Sequence, residues 1–92
     1  MVGLVQLAYA EAYELKAGGF RGAVKNKLTG EITKTEVFDT LEHAREAARK
    51  IVFDIVGDRN MAAGHYRSPR GEWRCNYFIR SDEVVWRDYH AN

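Results

Sequence analysis

The sequence predicts an α+β fold in which one main α-helix, from about residue 40 to 56, packs on one face of an antiparallel β-sheet. Apolar residues recur at spacings of three and four over residues 41–55, and residues 73–80 alternate between apolar and polar types. A glycine-containing turn joins two extended segments at residues 20–38. A chain of 92 residues is too short for two independent cores, so a single domain over 1–92 is expected.

The segment 4–16 fits either a strand or a helix. As a strand it places Ala8, Ala10 and Ala12 on one face, and on the other Val5, Leu7, Tyr9, Tyr13 and Leu15. As a helix it gathers a different apolar set: Leu4, Val5, Ala8, Ala12 and Leu15. The regular alternation of the large side chains favours the strand, with a tight return at Gly18-Gly19.

A β-hairpin is predicted next, from strands at 20–27 and 32–38. The turn between them, residues 28–31, contains Gly30, which can adopt a positive φ. Thr33, Thr35 and Val37 favour an extended backbone in the second strand.

The helix at about 40–56 has the clearest pattern. Its apolar face comprises Leu41, Ala44, Ala48, Ile51, Val52 and Ile55. Asp39 is the expected N-cap, with Glu42 three residues later completing a capping box. Gly57 suits the left-handed position that follows a helix.

Three further elements are expected after the helix. Asp58 is predicted to cap a short second helix that runs through Ala63. The alternating segment 73–80 is predicted to be a strand, and residues 65–67 to pair with it. A last short strand is expected at residues 84–89.

Composition excludes several classes of protein. Fourteen basic residues against thirteen acidic ones, a net charge of +1, exclude a histone-like polycation and an acidic DNA mimic. An apolar fraction of 46% with 12% aromatic residues excludes intrinsic disorder. The single cysteine, the absence of a long apolar run and the uncharged start of the chain predict a cytoplasmic protein with no membrane partner.

No motif indicates catalysis, a cofactor or a metal. The soft metal ligands are His43, His65, Cys75 and His90, and no two of them have the close spacing of a zinc site. The glycines form no phosphate-binding loop, and Ser68 and Ser81 lack the context of a nucleophile. We therefore expect a non-enzymatic protein, with no small-molecule substrate evident and a monomer favoured. A small enzyme or a homodimeric structural protein is the third interpretation.

Charge is distributed unevenly along the chain. Residues 59–81 carry five arginines, no lysine and only one carboxylate, Glu72. Arginine suits contacts with phosphate or carboxylate, and tyrosine and tryptophan are common anchors of interfaces. The predicted binding set is Arg59, Tyr66, Arg67, Arg70, Trp73, Arg74 and Arg80.

The hairpin carries a second basic set. It consists of Arg21, Lys25, Lys27 and Lys34. These side chains are candidates for phosphate contacts, while the competing interpretation is a solvated sheet face whose charges discourage pairing with other strands.

Residues 19–51 resemble the sheet-plus-helix DNA-binding module at the start of phage-type tyrosine integrases, and the plant AP2 domain. The matching features are a basic strand, the turn at 28–31, a second strand that ends in Val37-Phe38, and the helix start at 40–45. In that family the sheet enters the major groove of DNA. The resemblance implies that Arg21, Lys25, Lys27 and Lys34 contact DNA.

In size and in the order of sheet, helix and aromatic-rich closing strands, the chain also resembles the small phage-encoded anti-CRISPR inhibitors. That resemblance implies a protein that docks on the subunits of a bacterial CRISPR surveillance complex, and on its guide RNA, in the host cytoplasm. It would block access of target DNA. The first functional hypothesis is therefore such an inhibitor, and the alternative is a DNA- or RNA-binding module that acts through the basic hairpin.

Overall fold

Five β-strands and one α-helix make up the described part of the chain, which covers residues 3–68 and 70–84 of a computed structural model. The elements in order are β1 (Leu4–Glu14), β2 (Phe20–Asn26), β3 (Ile32–Phe38), α1 (Leu41–Val56), β4 (Met61–Arg67), β5 (Glu72–Arg80) and a 3-10 turn (Ser81–Glu83). The strands form one sheet in the order β3-β2-β1-β5-β4, and every neighbouring pair is antiparallel. The predicted α+β class is confirmed.

The core lies between α1 and the sheet, and its buried residues come mainly from α1, β1 and β5, with Val24 from β2. Small residues allow α1 to approach the sheet closely. Ala8, Ala10 and Ala12 of β1 and Ala44 and Ala48 of α1 are all fully buried. Larger apolar side chains surround these alanines, and Leu7, Val24, Val52 and Ile79 are the largest of those that are fully buried. Because α1 covers β1 to β3 and only touches β5, the helix does not cover its side of β4.

The segment 4–16 is a strand, as the alternation of its side chains favours, but its two faces differ from the prediction. The register of β1 against β5 shifts between Gln6 and Ala8, so that Leu7 is an extra residue in a β-bulge. Leu7 therefore lies in the core together with Ala8. Tyr9 and Tyr13 keep the opposite face, away from the helix.

Both predicted turns of the first half are present. Gly18 and Gly19 have φ values of 98° and 83°, and the Leu15 amide donates to the Gly19 carbonyl at 2.9 Å. In the hairpin turn, Gly30 has a φ of 83° and its amide donates to the Asn26 carbonyl at 2.7 Å. These left-handed conformations explain why glycine occupies the positions.

The helix prediction is confirmed except at its start. Thr40 is the N-cap, because its hydroxyl accepts a hydrogen bond from the His43 amide at 3.2 Å, and the helix begins at Leu41. Asp39 is therefore not the N-cap, and the expected capping box of Asp39 and Glu42 is wrong. At the other end Gly57 has a φ of 57° and its amide donates to the Phe53 carbonyl, as expected of a helix-terminating glycine.

The second helix predicted from Asp58 to Ala63 is wrong. Residues 61–67 form the edge strand β4, and the described chain has only the 3-10 turn at residues 81–83 in addition to α1. Strand pairing with β5 outweighs the N-capping signal of Asp58, and Tyr66 opposite Cys75 confirms the expected pairing of residues 65–67 with β5. Of the strand expected at 84–89, Val84 follows the 3-10 turn, and residues 85–89 lie outside the described part.

Candidate functional site

One face of the sheet is free of the helix, and its residues follow from the strand registers. Paired residues of neighbouring antiparallel strands point to the same side. Three adjacent cross-strand rows of this face run along Ile32, Lys25, Tyr9, Asn76 and His65, along Lys34, Ala23, Glu11, Arg74 and Arg67, and along Val37, Arg21, Tyr13 and Glu72. We call these three rows the open face.

The open face brings together residues from both sequence-predicted sets. Arg67 and Arg74 come from the arginine-rich segment, and Arg21, Lys25 and Lys34 come from the basic hairpin. These basic side chains surround Tyr9 and Tyr13 on the central strand. Five basic residues against Glu11 and Glu72 give the three rows a net charge of +3 with His65 neutral.

The basic groups differ in how far they are already engaged. Arg74 forms an ion pair with Glu72 at 2.8 Å, and Arg21 Nε donates to the Thr35 carbonyl at 3.1 Å. Lys25, Lys34 and Arg67 are exposed and form no ion pair with any residue of the described ranges. These three are therefore the side chains most available to an anionic partner.

Tyr9 lies in the middle of the open face and keeps its phenolic proton. Burial against neighbouring side chains raises the pKa of Tyr9, and the carboxylate of Glu11 adds to the increase. The nearby Arg74 guanidinium acts in the opposite direction but is outweighed. The ring is thus a neutral hydrogen-bond donor with an apolar surface, which suits stacking against a flat partner.

The arginine-rich segment does not form a single patch, because two of its members serve the fold. Arg59 donates from Nε to the Glu83 carbonyl at 3.1 Å and from Nη1 to the carbonyls of Ile55 and Val56. Its guanidinium therefore joins the end of α1 to the 3-10 turn. Arg80 is paired with Asp82 at 3.3 Å and with Glu83 at 3.2 Å.

Other members of the predicted sets lie away from the open face. Tyr66 and Trp73 point to the helix side, where their ring centroids are 6.3 Å apart and Trp73 is buried. Arg70 is exposed in the turn between β4 and β5, and Lys27 follows the last residue of β2. Strand alternation in β5 separates Trp73 from Arg74, so the seven residues of the first set cannot act as one surface.

Sequence reasoning did not assign a role to Tyr9, Tyr13 or Glu11. The alternation of β1 indicated that the two tyrosines share a face, but the bulge at Leu7 changes which other residues of β1 lie on that face. It also missed Arg45 and Arg49 of α1, which border a groove on the helix side together with Gly64 and Tyr77.

Two further features are absent from residues 3–68 and 70–84, a metal-binding cluster and a membrane-spanning helix. No three of the His, Cys, Asp and Glu side chains described there cluster in a way that could hold a metal ion. No helix of the same ranges combines the length and the apolar character needed to cross a bilayer.

Comparison of the chain with protein-family models, with curated proteins and with solved structures finds no match. The case for a function therefore depends on the chemistry of the open face.

Proposed function

We propose that the protein binds single-stranded nucleic acid on the open face of its sheet, without catalysing a reaction. The observation that supports this most strongly is that Lys25, Lys34 and Arg67 lie on the same face of the sheet as Tyr9 and Tyr13, which are partly exposed. Proteins that bind single strands combine basic groups for the phosphates with aromatic rings on which bases stack.

The dimensions of the sheet suit an extended strand. Five strands spaced about 4.8 Å apart give a platform about 19 Å wide, with Lys34 on β3 at one edge and Arg67 on β4 at the other. The cations at the two edges would hold phosphates, and the tyrosines of β1 between them would contact bases. Backbone contacts of this kind give affinity with little sequence preference.

Charge reversal at the two edges tests the proposal. We expect Lys34→Glu and Arg67→Glu each to weaken the binding of a labelled single strand of about twelve nucleotides, measured by fluorescence anisotropy at low salt. Lys50→Glu is the matched control, because Lys50 is an exposed residue of α1, on the other layer. Equal affinity in all three variants and the unaltered protein would contradict the proposal.

Substitution of the tyrosines tests the stacking component separately. Tyr9→Leu keeps an apolar side chain but removes the ring, and we expect it to weaken binding by at least about fivefold, since stacking contributes roughly 1–3 kcal/mol per base. A labelled duplex of the same sequence, in which the bases are not free to stack on the rings, should bind less tightly than the single strand.

A second candidate is the inhibitor that docks on a bacterial CRISPR surveillance complex. Glu11 places a negative charge within the open face and Glu72 neutralises Arg74 there, and complementary charges guide the recognition of protein partners. Co-purification with a surveillance complex, in the presence and absence of nuclease, separates the candidates. Retention that survives nuclease treatment, together with poor binding of naked single strands, would favour the inhibitor.

A further inference from the structure

A groove of about 290 Å³ lies on the helix side of the sheet, between α1 and the edge strand β4. Its lining residues are Arg45, Arg49, Gly64, Tyr66, Trp73, Cys75 and Tyr77. The groove exists because α1 covers β1 to β3 and leaves the outer part of the sheet uncovered. It is on the opposite side of the sheet from the open face and is independent of the function proposed above.

Of the two arginines of the groove, Arg45 has an unsatisfied donor. Arg45 Nε is buried and has no hydrogen-bond partner among the described residues. The ion pair of Arg45 with the adjacent Glu46 is long, at 3.8 Å, and is made through Nη2. Leaving a buried charged donor unsatisfied costs free energy. A ligand atom that accepts a hydrogen bond from Arg45 Nε would therefore be stabilising.

Arg49 lies one helical turn after Arg45, so both guanidinium groups border the same groove. Arg49 forms no ion pair with any residue in the described ranges, and its guanidinium carbon lies 6.0 Å from the centre of the Phe53 ring. No acidic side chain of residues 3–68 and 70–84 lines the groove. Its charge is therefore positive and favours an anion.

The rest of the groove is aromatic and sterically open. The rings of Tyr66 and Trp73 lie 6.3 Å apart at an angle of 44°, and Tyr66 is 56% exposed. Gly64 leaves space beside them, because within 4 Å a Cβ atom there would meet one atom of the described residues, Cys75 Sγ at 3.9 Å. Tyr77 adds an uncharged ring to the lining, since burial and then Cys75 raise the pKa of Tyr77 despite the opposing effect of Arg49.

We propose that this groove binds a phosphate ester carried on a flat ring, with the phosphate held by Arg45 and Arg49 and the ring against Tyr66 and Trp73. Two guanidinium groups offer planar, bidentate donation to phosphate oxygens, and one of those oxygens would satisfy the buried Arg45 Nε. The ligand is expected to carry a ring because a bare anion would leave the exposed ring of Tyr66 without a contact.

Two kinds of molecule share this chemistry, a nucleoside monophosphate and an aryl phosphate such as the side chain of phosphotyrosine. Isothermal titration calorimetry with adenosine monophosphate, phenyl phosphate and inorganic phosphate compares them directly. We expect both ring-bearing probes to bind more tightly than inorganic phosphate, and the tighter of the two identifies the source of the ring.

Three variants locate the binding site. We expect Arg45→Gln and Arg49→Gln to weaken the binding of the ring-bearing probes by at least about tenfold, since charge-assisted hydrogen bonds to phosphate are lost. Gly64→Leu should weaken it similarly by filling the groove while leaving both arginines in place. Lys50→Gln, on the exposed side of α1, should bind as the unaltered protein does.

Several results would overturn the proposal. These are no binding of any probe at millimolar concentration, equal binding of inorganic phosphate and the ring-bearing probes, or binding that Gly64→Leu leaves unchanged. Circular dichroism of each variant distinguishes a lost site from a lost fold. Because none of these variants lies on the open face, their outcome is separate from that of the nucleic-acid binding experiments.

Discussion

Arg67 on β4 and Arg74 on β5 are directly paired across the two strands. Two like charges in this arrangement repel each other, and Glu72 offsets the repulsion through its 2.8 Å ion pair with Arg74. The fold thus keeps two arginines at paired positions at the edge of the open face, although an oppositely charged pair would be more stable. An external anion between them would relieve the repulsion.

Arg67→Glu is predicted to separate stability from binding. The new carboxylate faces Arg74, and a cross-strand pair of opposite charge is worth about 0.2–1 kcal/mol. The free energy of unfolding in urea should therefore stay constant or rise, while the affinity for single-stranded nucleic acid falls. Arg67→Gln, which removes the repulsion without adding an attraction, should be intermediate in stability. A clear loss of stability in Arg67→Glu would show that the two side chains do not interact as described.

Gly22 is predicted to be intolerant of a side chain. A Cβ atom there would lie 2.7 Å from the Ala44 carbonyl oxygen and 3.0 Å from Ala48 Cβ, so α1 would have to move away from the sheet. We expect Gly22→Ala to cost about 1–3 kcal/mol, as overpacking does. Gly64→Ala is the matched control, because the nearest atom to its Cβ would be 3.9 Å away. Similar thermal unfolding of the two variants would contradict the close approach of α1.

The buried side chain of Leu7, which lies in the bulge of β1, is predicted to contribute strongly to stability. Leu7 is fully buried, whereas Leu4 in the same strand is 59% exposed. We expect Leu7→Ala to lower the free energy of unfolding by about 2–5 kcal/mol and Leu4→Ala to change it by no more than about 0.5 kcal/mol. Denaturant titration of both variants measures the difference, and equal effects would mean that the side chain of Leu7 is not in the core.

The start of α1 provides a test of the capping assignment. Thr40→Ala removes the hydroxyl that accepts from the His43 amide and should cost about 1 kcal/mol. Asp39→Ala should cost less, because Thr40 rather than Asp39 caps the helix. Thermal melts of the two variants settle the order, and the reverse order would restore Asp39 as the cap.

Strong periodicity made most of the fold predictable. In α1, from Leu41 to Val56, and in β5, the apolar residues recur with the period of the element because one side of each faces the core. The strand β4 was harder, because Ala62, Ala63 and Gly64 show no alternation and are exposed at the sheet edge. Its conformation is determined by pairing with β5, which is a tertiary effect that outweighs the local signal of Asp58.

The candidate site could be predicted only in part, because its composition depends on strand register. The sequence identified Arg67 and Arg74 in one group and the hairpin cations in another, and the strand order β3-β2-β1-β5-β4 places all of these except Lys27 on one face. Local sequence gave no sign that Arg59 would be used to join the end of α1 to the 3-10 turn. Such long-range contacts have no periodic signature in the sequence.

The salt dependence of single-strand binding tests the central claim most directly. Binding through phosphate contacts releases counterions, so the logarithm of the affinity should fall linearly with the logarithm of the salt concentration between about 50 and 200 mM. Removal of one phosphate contact by Lys34→Gln or Arg67→Gln should lower the magnitude of that slope by about one, whereas Lys50→Gln should leave it unchanged. Binding that is insensitive to salt, or slopes that are the same in all variants, would contradict the assignment of the open face as a nucleic-acid interface.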